Sequence, residues 1–138
     1  MSTFNARLFL KGSSGVLGNY SLTFCTYESY RKLNNDGRPI SGINSGIVTL
    51  MFRDPVDEHI IKWGMNAHDH KDGSIKFYNH EGGDLIEFQV LEFERGFCAH
   101  FKNTFSVENA TGALRAMVTI SCERLKIGNV DHDNKWAM

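Results

Sequence analysis

Apolar and polar residues alternate near the start of the chain with the two-residue period of strands that bury one face. The pattern runs from Phe4 to Lys11, and it returns at Tyr20, where Tyr20, Leu22 and Phe24 are predicted to share a face. The chain is therefore expected to begin with two strands, joined by a turn that is rich in glycine and serine.

A third predicted strand, from Ile47 to Phe52, is apolar on both faces. Such a strand is expected to be covered on both sides, either by other elements of the same chain or by a neighbouring subunit. We therefore take Ile47, Leu50 and Phe52 as candidates for the core or for a subunit interface.

The next segment carries the signals of a single helix. Asp54 suits the N-cap and Pro55 the first helical position, and acidic residues follow where the helix dipole is positive. One apolar stripe recurs with helical spacing and consists of Val56, Ile60, Trp63 and Ala67. The stripe is expected to cover the third strand or to lie between subunits, so Ile60 and Trp63 join the core or interface candidates.

Two more strands, Ile75 to Tyr78 and Leu85 to Glu94, are predicted to form a hairpin around a tight turn with Gly82 and Gly83. Gly96 then interrupts the pattern. It marks either a bulge in one long strand or a second turn.

The alternation is clearest from Leu114 to Cys122, and it changes phase before Leu125. A bulge near Glu123 or Arg124 would account for this slip. Trp136, close to the end of the chain, is expected to dock on the fold, because an exposed terminal tryptophan favours aggregation.

Several strands, one helix and no regular alternation of strands with helices predict a mainly β protein. The expected architecture is an antiparallel β-barrel or two-sheet sandwich with one α-helix on its side. The 138 residues are expected to form one domain.

A long segment, Asn34 to Gly46, separates the second and third strands and is dominated by Gly, Asn, Asp, Ser and Pro. A hairpin needs only about two to five residues at such a place. The extra length favours a loop used for binding or assembly over a tolerated surface insertion.

Charge and hydropathy exclude two classes of partner. The chain has 15 Lys and Arg against 16 Asp and Glu, a formal charge of −1, which gives no electrostatic case for nucleic acid. No apolar run approaches the ~18 residues of a membrane-spanning helix, and the first residues lack the pattern of a secretory signal. We expect a protein made in the cytoplasm, with no direct membrane insertion.

Candidate chemistry is sparse. Cys25, Cys98 and Cys122 are far apart and lie in predicted strands, which favours reduced packing residues over disulfides or zinc ligands. His68 and His70 lie among aspartates that could hold a divalent cation, but further ligands at a recognisable spacing are missing. No nucleophile elbow, phosphate-binding glycine motif or telling carboxylate pair occurs, so we expect no catalysis, no metal and no cofactor.

Short motifs follow one another along the chain in a specific order: Asp36-Gly37-Arg38-Pro39, Ser41-Gly42, Ile60-Ile61-Lys62-Trp63-Gly64-Met65, Gly73-Ser74-Ile75-Lys76-Phe77, Phe93-Glu94-Arg95-Gly96-Phe97-Cys98, Thr119-Ile120-Ser121-Cys122 and Ile127-Gly128-Asn129, with Asn134 and Trp136. Together they resemble the Hcp (TssD) tube proteins of type VI secretion systems, in the form found in Bacteroidota, nearly from end to end. The chain departs from that pattern at Arg95 and Gly96, where a small or acidic pair is expected.

The resemblance implies a structural protein. Similar proteins form hexameric rings that stack into a tube, which a contracting sheath propels into a target cell behind a spike. The implied partners are further copies of the chain, the sheath, spike and baseplate proteins, and effectors carried in the lumen. The implied route out of the cytoplasm is secretion without a signal peptide.

The resemblance also implies a role for the long loop, because in similar tube proteins the loop between the second and third strands reaches the next ring. The implied stacking residues are Asp36, Gly37, Arg38, Pro39, Ser41 and Gly42. The alternative is a small-molecule-binding or isomerase-type β-barrel, in which this loop is a lid over an apolar cavity.

Overall fold

A computed structural model describes residues 4–12, 15–30, 34–38, 44–66, 68–107 and 113–134. These ranges contain seven strands and one helix, which confirms the mainly β class. In chain order they are β1 Phe4–Gly12, β2 Gly15–Tyr30, β3 Asn44–Phe52, α1 Glu58–Met65, β4 His70–Glu81, β5 Asp84–Ser106, β6 Ala113–Ile127 and β7 Val130–Asp133. The sequence pattern did not indicate β7, because a strand of 4 residues with mostly exposed side chains shows no apolar alternation.

The strands form an antiparallel barrel. Neighbouring strands follow the order β3-β2-β1-β4-β5-β6-β7, and a further pairing of β3 with β6 joins the two sides of the sheet. β7 continues along β6 beyond this closure. The closure decides between the two predicted architectures in favour of the barrel.

Apolar side chains that are fully or almost fully buried form one connected core. They come from six strands and the helix, and include Leu8, Leu10, Leu22, Val48, Leu50, Phe52, Ile60, Trp63, Ile75, Leu91, Phe93, Val118 and Ile120. Burial of this connected apolar surface is the main favourable contribution to folding.

β3 is covered on its inner face only. It pairs with β2 on one edge and with β6 on the other. Val48, Leu50 and Phe52 are buried, whereas Ile47 and Met51 on the opposite face are half-buried. The expectation that both faces are covered is therefore wrong for the single chain.

A bulge in β2 moves Phe24 off the predicted face. The register with β3 shifts between Leu22 and Phe24. As a result the Phe24 side chain is 48% exposed, while the next residue, Cys25, packs against the core. Alternation predicted the wrong face because one extra residue in a strand reverses every side chain that follows it.

Helix α1 begins later than predicted. Its N-cap is Asp57, whose carboxylate accepts hydrogen bonds from two backbone amides of the first turn, at 3.1 and 3.4 Å. The Tyr20 hydroxyl donates to the same carboxylate at 2.9 Å. Because this contact with β2 holds Asp57 at the helix start, the predicted cap Asp54 and the following Pro55 lie outside the helix.

Trp63 anchors α1 on β5, not on β3 as expected. Its indole Nε1 donates to the Gly96 carbonyl oxygen at 3.0 Å, and its ring stacks on Phe93 with a centroid distance of 6.4 Å. Gly64 approaches Phe101 so closely that an added Cβ would lie 2.6 Å from the ring. The last residue of the predicted stripe, Ala67, lies outside the described residues.

The predicted hairpin between β4 and β5 is confirmed. Glu81 pairs with Asp84 across the turn. Gly82 and Gly83 both have positive φ, 58° and 89°, as a two-residue turn between twisted strands requires.

The interruption before Gly96 is a bulge, because β5 continues through it as one strand. Arg95 has a φ of 53°, and the register with β4 shifts beside it. Its backbone amide donates to Asp72 Oδ1 at 2.9 Å, and its guanidinium pairs with Glu123 at 3.1 Å.

The bulge predicted in β6 near Glu123 or Arg124 is wrong. Phe93 and Gly96 of β5 keep the same register with β6, and both residues and their β6 partners are buried. In both strands the next buried residue comes three positions along, not two, at the level of the Arg95 bulge. The alternation of buried and exposed residues therefore shifts in β6 although its pairing with β5 does not.

Replacing Trp63 with alanine should lower the free energy of unfolding by about 3–5 kcal/mol, because it removes a large buried side chain and leaves the Gly96 carbonyl without its donor. Urea denaturation at equal subunit concentration measures this change. Met65→Ala on the same helix is the control; its side chain is 77% exposed, and a change within about 0.5 kcal/mol is expected. Similar losses in the two variants would show that Trp63 does not anchor the helix.

Candidate functional site

The described part of the long loop is a turn closed by Asn34. Its side-chain Oδ1 accepts hydrogen bonds from the backbone amides of Asp36 at 2.9 Å and Arg38 at 3.0 Å. Its backbone closes the same turn, because Gly37 N donates to Asn34 O and Asn34 N donates to Arg38 O, each at 3.0 Å. Asn34 was not among the predicted site residues. The tendency of asparagine to bond the backbone two residues ahead is the signal that would have indicated it.

The tip of this turn presents Asp36, Gly37 and Arg38 to solvent. Gly37 has a φ of 84° with open space around it, so the backbone conformation, not packing, calls for glycine there. Among the described residues, no carboxylate forms an ion pair with the Arg38 guanidinium. The cation is therefore available for contacts outside the described part of the chain.

The other predicted loop residues, Pro39, Ser41 and Gly42, lie outside the described residues. The predicted end of the loop needs correction, since β3 already begins at Asn44. Gly46 is therefore a strand residue, with a φ of 90°.

The predicted core or interface candidates are not gathered on one surface. Leu50, Phe52, Ile60 and Trp63 are buried inside their own subunit. Ile47 is half-buried on the outer face of β3. Trp136 lies outside the described residues.

In the described part of the chain, two strands extend beyond their neighbours and leave edges that no other strand pairs with. Within the described ranges, β1 pairs with β2 only as far as Leu22, so no strand covers the second edge of β2 from Thr23 to Tyr30. β4 pairs with β5 only as far as Phe97, and beyond it β5 pairs with β6 alone. Free edges of this kind accept a further strand readily.

Both projecting segments carry exposed apolar side chains. On β2, Phe24 is 48% and Tyr27 40% exposed. At the far end of the β5–β6 hairpin, Phe105 is 67% exposed and pairs directly with Leu114. Alternation did not indicate these residues, because it predicts the face of a strand and not where its neighbour ends.

Among the described residues, the titratable groups form no reactive set. Burial raises the pKa of the Cys25 and Cys122 thiols to about 12, and it also raises the pKa of Cys98. All three are therefore protonated at neutral pH and poor nucleophiles. Burial and the hydrogen bond to Asp57 likewise raise the pKa of Tyr20.

The two predicted histidines lie at the surface, His68 after α1 and His70 at the start of β4. The His70 ring packs against Phe97 with a centroid distance of 5.3 Å, and Asp69 pairs with Lys71 at 3.5 Å. In the part of the chain that the structure describes, no three His, Cys, Asp or Glu residues are placed to hold a metal ion. No helix of that part is long and apolar enough to span a membrane.

Several solved structures share this fold. Hcp1 from Flavobacterium johnsoniae matches with a TM-score of 0.78 and 19% identity, covering 94% of this chain and 99% of that one. Hcp3 from Pseudomonas aeruginosa, described as a secreted protein, matches with a TM-score of 0.64 and 10% identity. This match covers 98% of this chain and 99% of that one. A chain in a six-fold symmetrised structure of the anti-feeding prophage baseplate matches with a TM-score of 0.53 and 6% identity. This match covers 94% of this chain and 95% of that one.

No curated protein sequence matches this chain. The family model of the hemolysin coregulated protein Hcp (TssD) matches residues 2–137. Because that match spans nearly the whole chain, and the barrel agrees with those of solved Hcp proteins, the chain belongs to the Hcp (TssD) family.

Proposed function

We propose that this chain is the tube subunit of a type VI secretion system and assembles with copies of itself into hexameric rings that stack end to end. The match of the Hcp family model over residues 2–137 carries this proposal. The shared fold with a chain of a six-fold symmetrised baseplate supports the ring size.

The free strand edges supply surfaces suited to a ring. A closed ring of identical subunits needs two different, complementary surfaces on each subunit. The β2 edge with Phe24 and Tyr27 is one such surface, and the β5–β6 hairpin with Phe105 and Leu114 is the other. We infer that the β2 edge of one subunit pairs with the β5–β6 hairpin of the next, so that the sheet continues around the ring.

The 34–38 turn supplies a surface suited to stacking. Asn34 preorganises the turn, so little conformational entropy is lost when it docks on another ring. Arg38 offers a planar cation that can bind a carboxylate or backbone carbonyls of the adjoining ring. An exposed ion pair contributes only about 1 kcal/mol, but the ring repeats it around its axis.

The proposed tube role also specifies the partners of the chain and the place where it works. The chain works without catalysis, metal or cofactor, assembles in the cytoplasm and leaves it by injection. Its further partners are the sheath, spike and baseplate proteins, with effectors carried in the lumen. The alternative small-molecule barrel is disfavoured, because buried side chains such as Leu50, Phe52 and Phe93 form one connected apolar core where a ligand would need a cavity.

The ring interface predicts that the purified protein is a hexamer in native mass spectrometry and that Phe105→Glu converts it to monomers, since a charge would be buried in an apolar contact. Phe88→Glu is the matched control. Phe88 is 54% exposed and lies in the part of β5 that pairs with β4. It is outside both proposed ring surfaces, so its replacement should leave the ring intact. Monomers of the wild type at all concentrations, or intact rings of Phe105→Glu, would contradict the proposed interface.

The stacking role predicts that Arg38→Glu leaves rings folded but shortens tubes, as measured by electron microscopy, and lowers secretion. The charge reversal converts a weak attraction into a repulsion at every copy of the contact. Arg53→Glu makes the same charge change at an exposed position before α1 and should not alter tube length. Tubes of wild-type length from Arg38→Glu would remove this turn from the stacking contact.

The absence of a metal role predicts that the double variant His68→Ala and His70→Ala forms rings as the wild type does. Both side chains are exposed, so their loss should change the free energy of unfolding by about 0.5 kcal/mol or less. Elemental analysis of the purified wild type should find no stoichiometric zinc or nickel. A stoichiometric metal that the double variant loses would overturn this prediction.

A further inference from the structure

One edge of β6 changes its partner at Cys122 and Glu123. Up to Ser121 this edge pairs with β3, and from Arg124 onward it pairs with β7. Asn134, which follows β7, spans the gap. Its backbone amide donates to the Glu123 carbonyl oxygen at 2.8 Å, and its side-chain Nδ2 donates to the Cys122 carbonyl oxygen at 3.1 Å.

The same junction holds the start of β3. The Cys122 thiol donates to the Gly46 carbonyl oxygen at 3.3 Å. Gly46 lies so close that an added Cβ would clash with the Cys122 carbonyl oxygen and lie 3.1 Å from Asn134 Nδ2. Gly46, Cys122 and Asn134 thus form one compact contact, which we call the tail clamp.

His132 holds the Asn134 side chain in its orientation. Its Nε2 lies 3.0 Å from Asn134 Oδ1. With Oδ1 held by the imidazole, the amide directs Nδ2 at Cys122. The Asn134 side chain is therefore held by His132 of β7 as well as by Cys122 of β6.

The tail clamp lies at the root of the long loop. β3 begins at Asn44, so Gly46 is at the point where the loop joins the barrel. On the other side of the loop, the pairing of β2 with β3 is irregular between Glu28 and Tyr30. The clamp is thus a fixed support for the loop beside an irregular stretch of ladder.

We propose that Asn134 is a positioning residue for ring stacking: by holding Cys122 against Gly46, it sets the direction in which the loop leaves the barrel and so the place where Arg38 meets the next ring. The proposal rests on the proposed stacking function. Cys122 is fully buried. Because buried carbonyl groups are almost always hydrogen-bonded, loss of the Asn134 amide forces the backbone at this junction to move or to admit water.

The first test compares hydrogen exchange in isolated rings of the wild type and Asn134→Ala. We expect peptides covering 34–38 and 44–47 to exchange about fivefold faster in the variant, as for the loss of one ordinary hydrogen bond, while peptides of β1 and β4 stay unchanged. Asn129→Ala, in the exposed turn between β6 and β7, is the control and should exchange as the wild type does.

The second test is tube length in electron microscopy. Asn134→Ala should give rings of normal mass but tubes at least several-fold shorter than those of the wild type. Asn134→Asp has the same size and can keep the contact to His132, yet it lacks the donor to Cys122 and should shorten tubes as well. Wild-type tube lengths from Asn134→Asp would overturn the role of that donor.

Two glycine substitutions separate the effect of backbone strain from the effect of opening the tail clamp. Gly46 and Gly83 have nearly equal φ values, 90° and 89°, but a Cβ at Gly83 has nothing within 4 Å. Gly83→Ala therefore carries the backbone strain alone, whereas Gly46→Ala also opens the clamp. We expect short tubes only from Gly46→Ala, and equal tube lengths from both would overturn the proposal.

The outcomes distinguish a failure of the clamp proposal from a failure of the proposed stacking function on which it rests. If the wild type forms no tubes, or Arg38→Glu does not shorten them, the stacking role of the loop fails. If Arg38→Glu shortens tubes but Asn134→Ala leaves both tube length and loop exchange unchanged, only the clamp proposal fails. Loss of rings in Asn134→Ala would assign the clamp to subunit folding and would also overturn it.

Discussion

The pairing of β3 with β6 is the contact on which the rest of the structure depends. These strands are separated by the whole middle of the sequence, and their ladder from Ile47 to Met51 closes the sheet into a barrel. Closure gives Val48 and Leu50 an enclosed interior, where they meet Ile120 and Val118. It also leaves the end of β6 available to β7.

Local irregularities decide what the barrel shows to its surroundings. The bulge after Leu22 turns Phe24 outward on a free strand edge. The bulge at Arg95 lets β5 and β6 change phase together, so that the Gly96 carbonyl can accept the indole N–H of Trp63. The first irregularity exposes an aromatic side chain, and the second supplies the acceptor that anchors the helix.

The molecule separates a rigid interior from surfaces suited to assembly. Apolar burial and strand pairing hold the interior. Burial also raises the pKa of the Cys25 and Cys122 thiols, which keeps them protonated at neutral pH. The β2 and β5 edges that no described strand covers, the exposed aromatic side chains and the preorganised 34–38 turn lie at the periphery. A subunit that is complete only beside its neighbours has this distribution of surface. The tail clamp connects the two regions, because it ties the root of the loop to β6.

The sequence by itself determined the strand periodicity, the glycine turn between β4 and β5, the mainly β class and, through the order of its motifs, the family. The first three depend on residues that are close together along the chain, and the family depends on the order of the motifs, which is also a property of the linear sequence. Tertiary structure decided that Tyr20 holds Asp57 as the helix cap, that α1 packs on β5, and that Leu50 and Phe52 lie in the subunit's own core. It also decided which strand edges no other described strand covers. These outcomes depend on register and closure between distant strands, which alternation along a single strand does not encode.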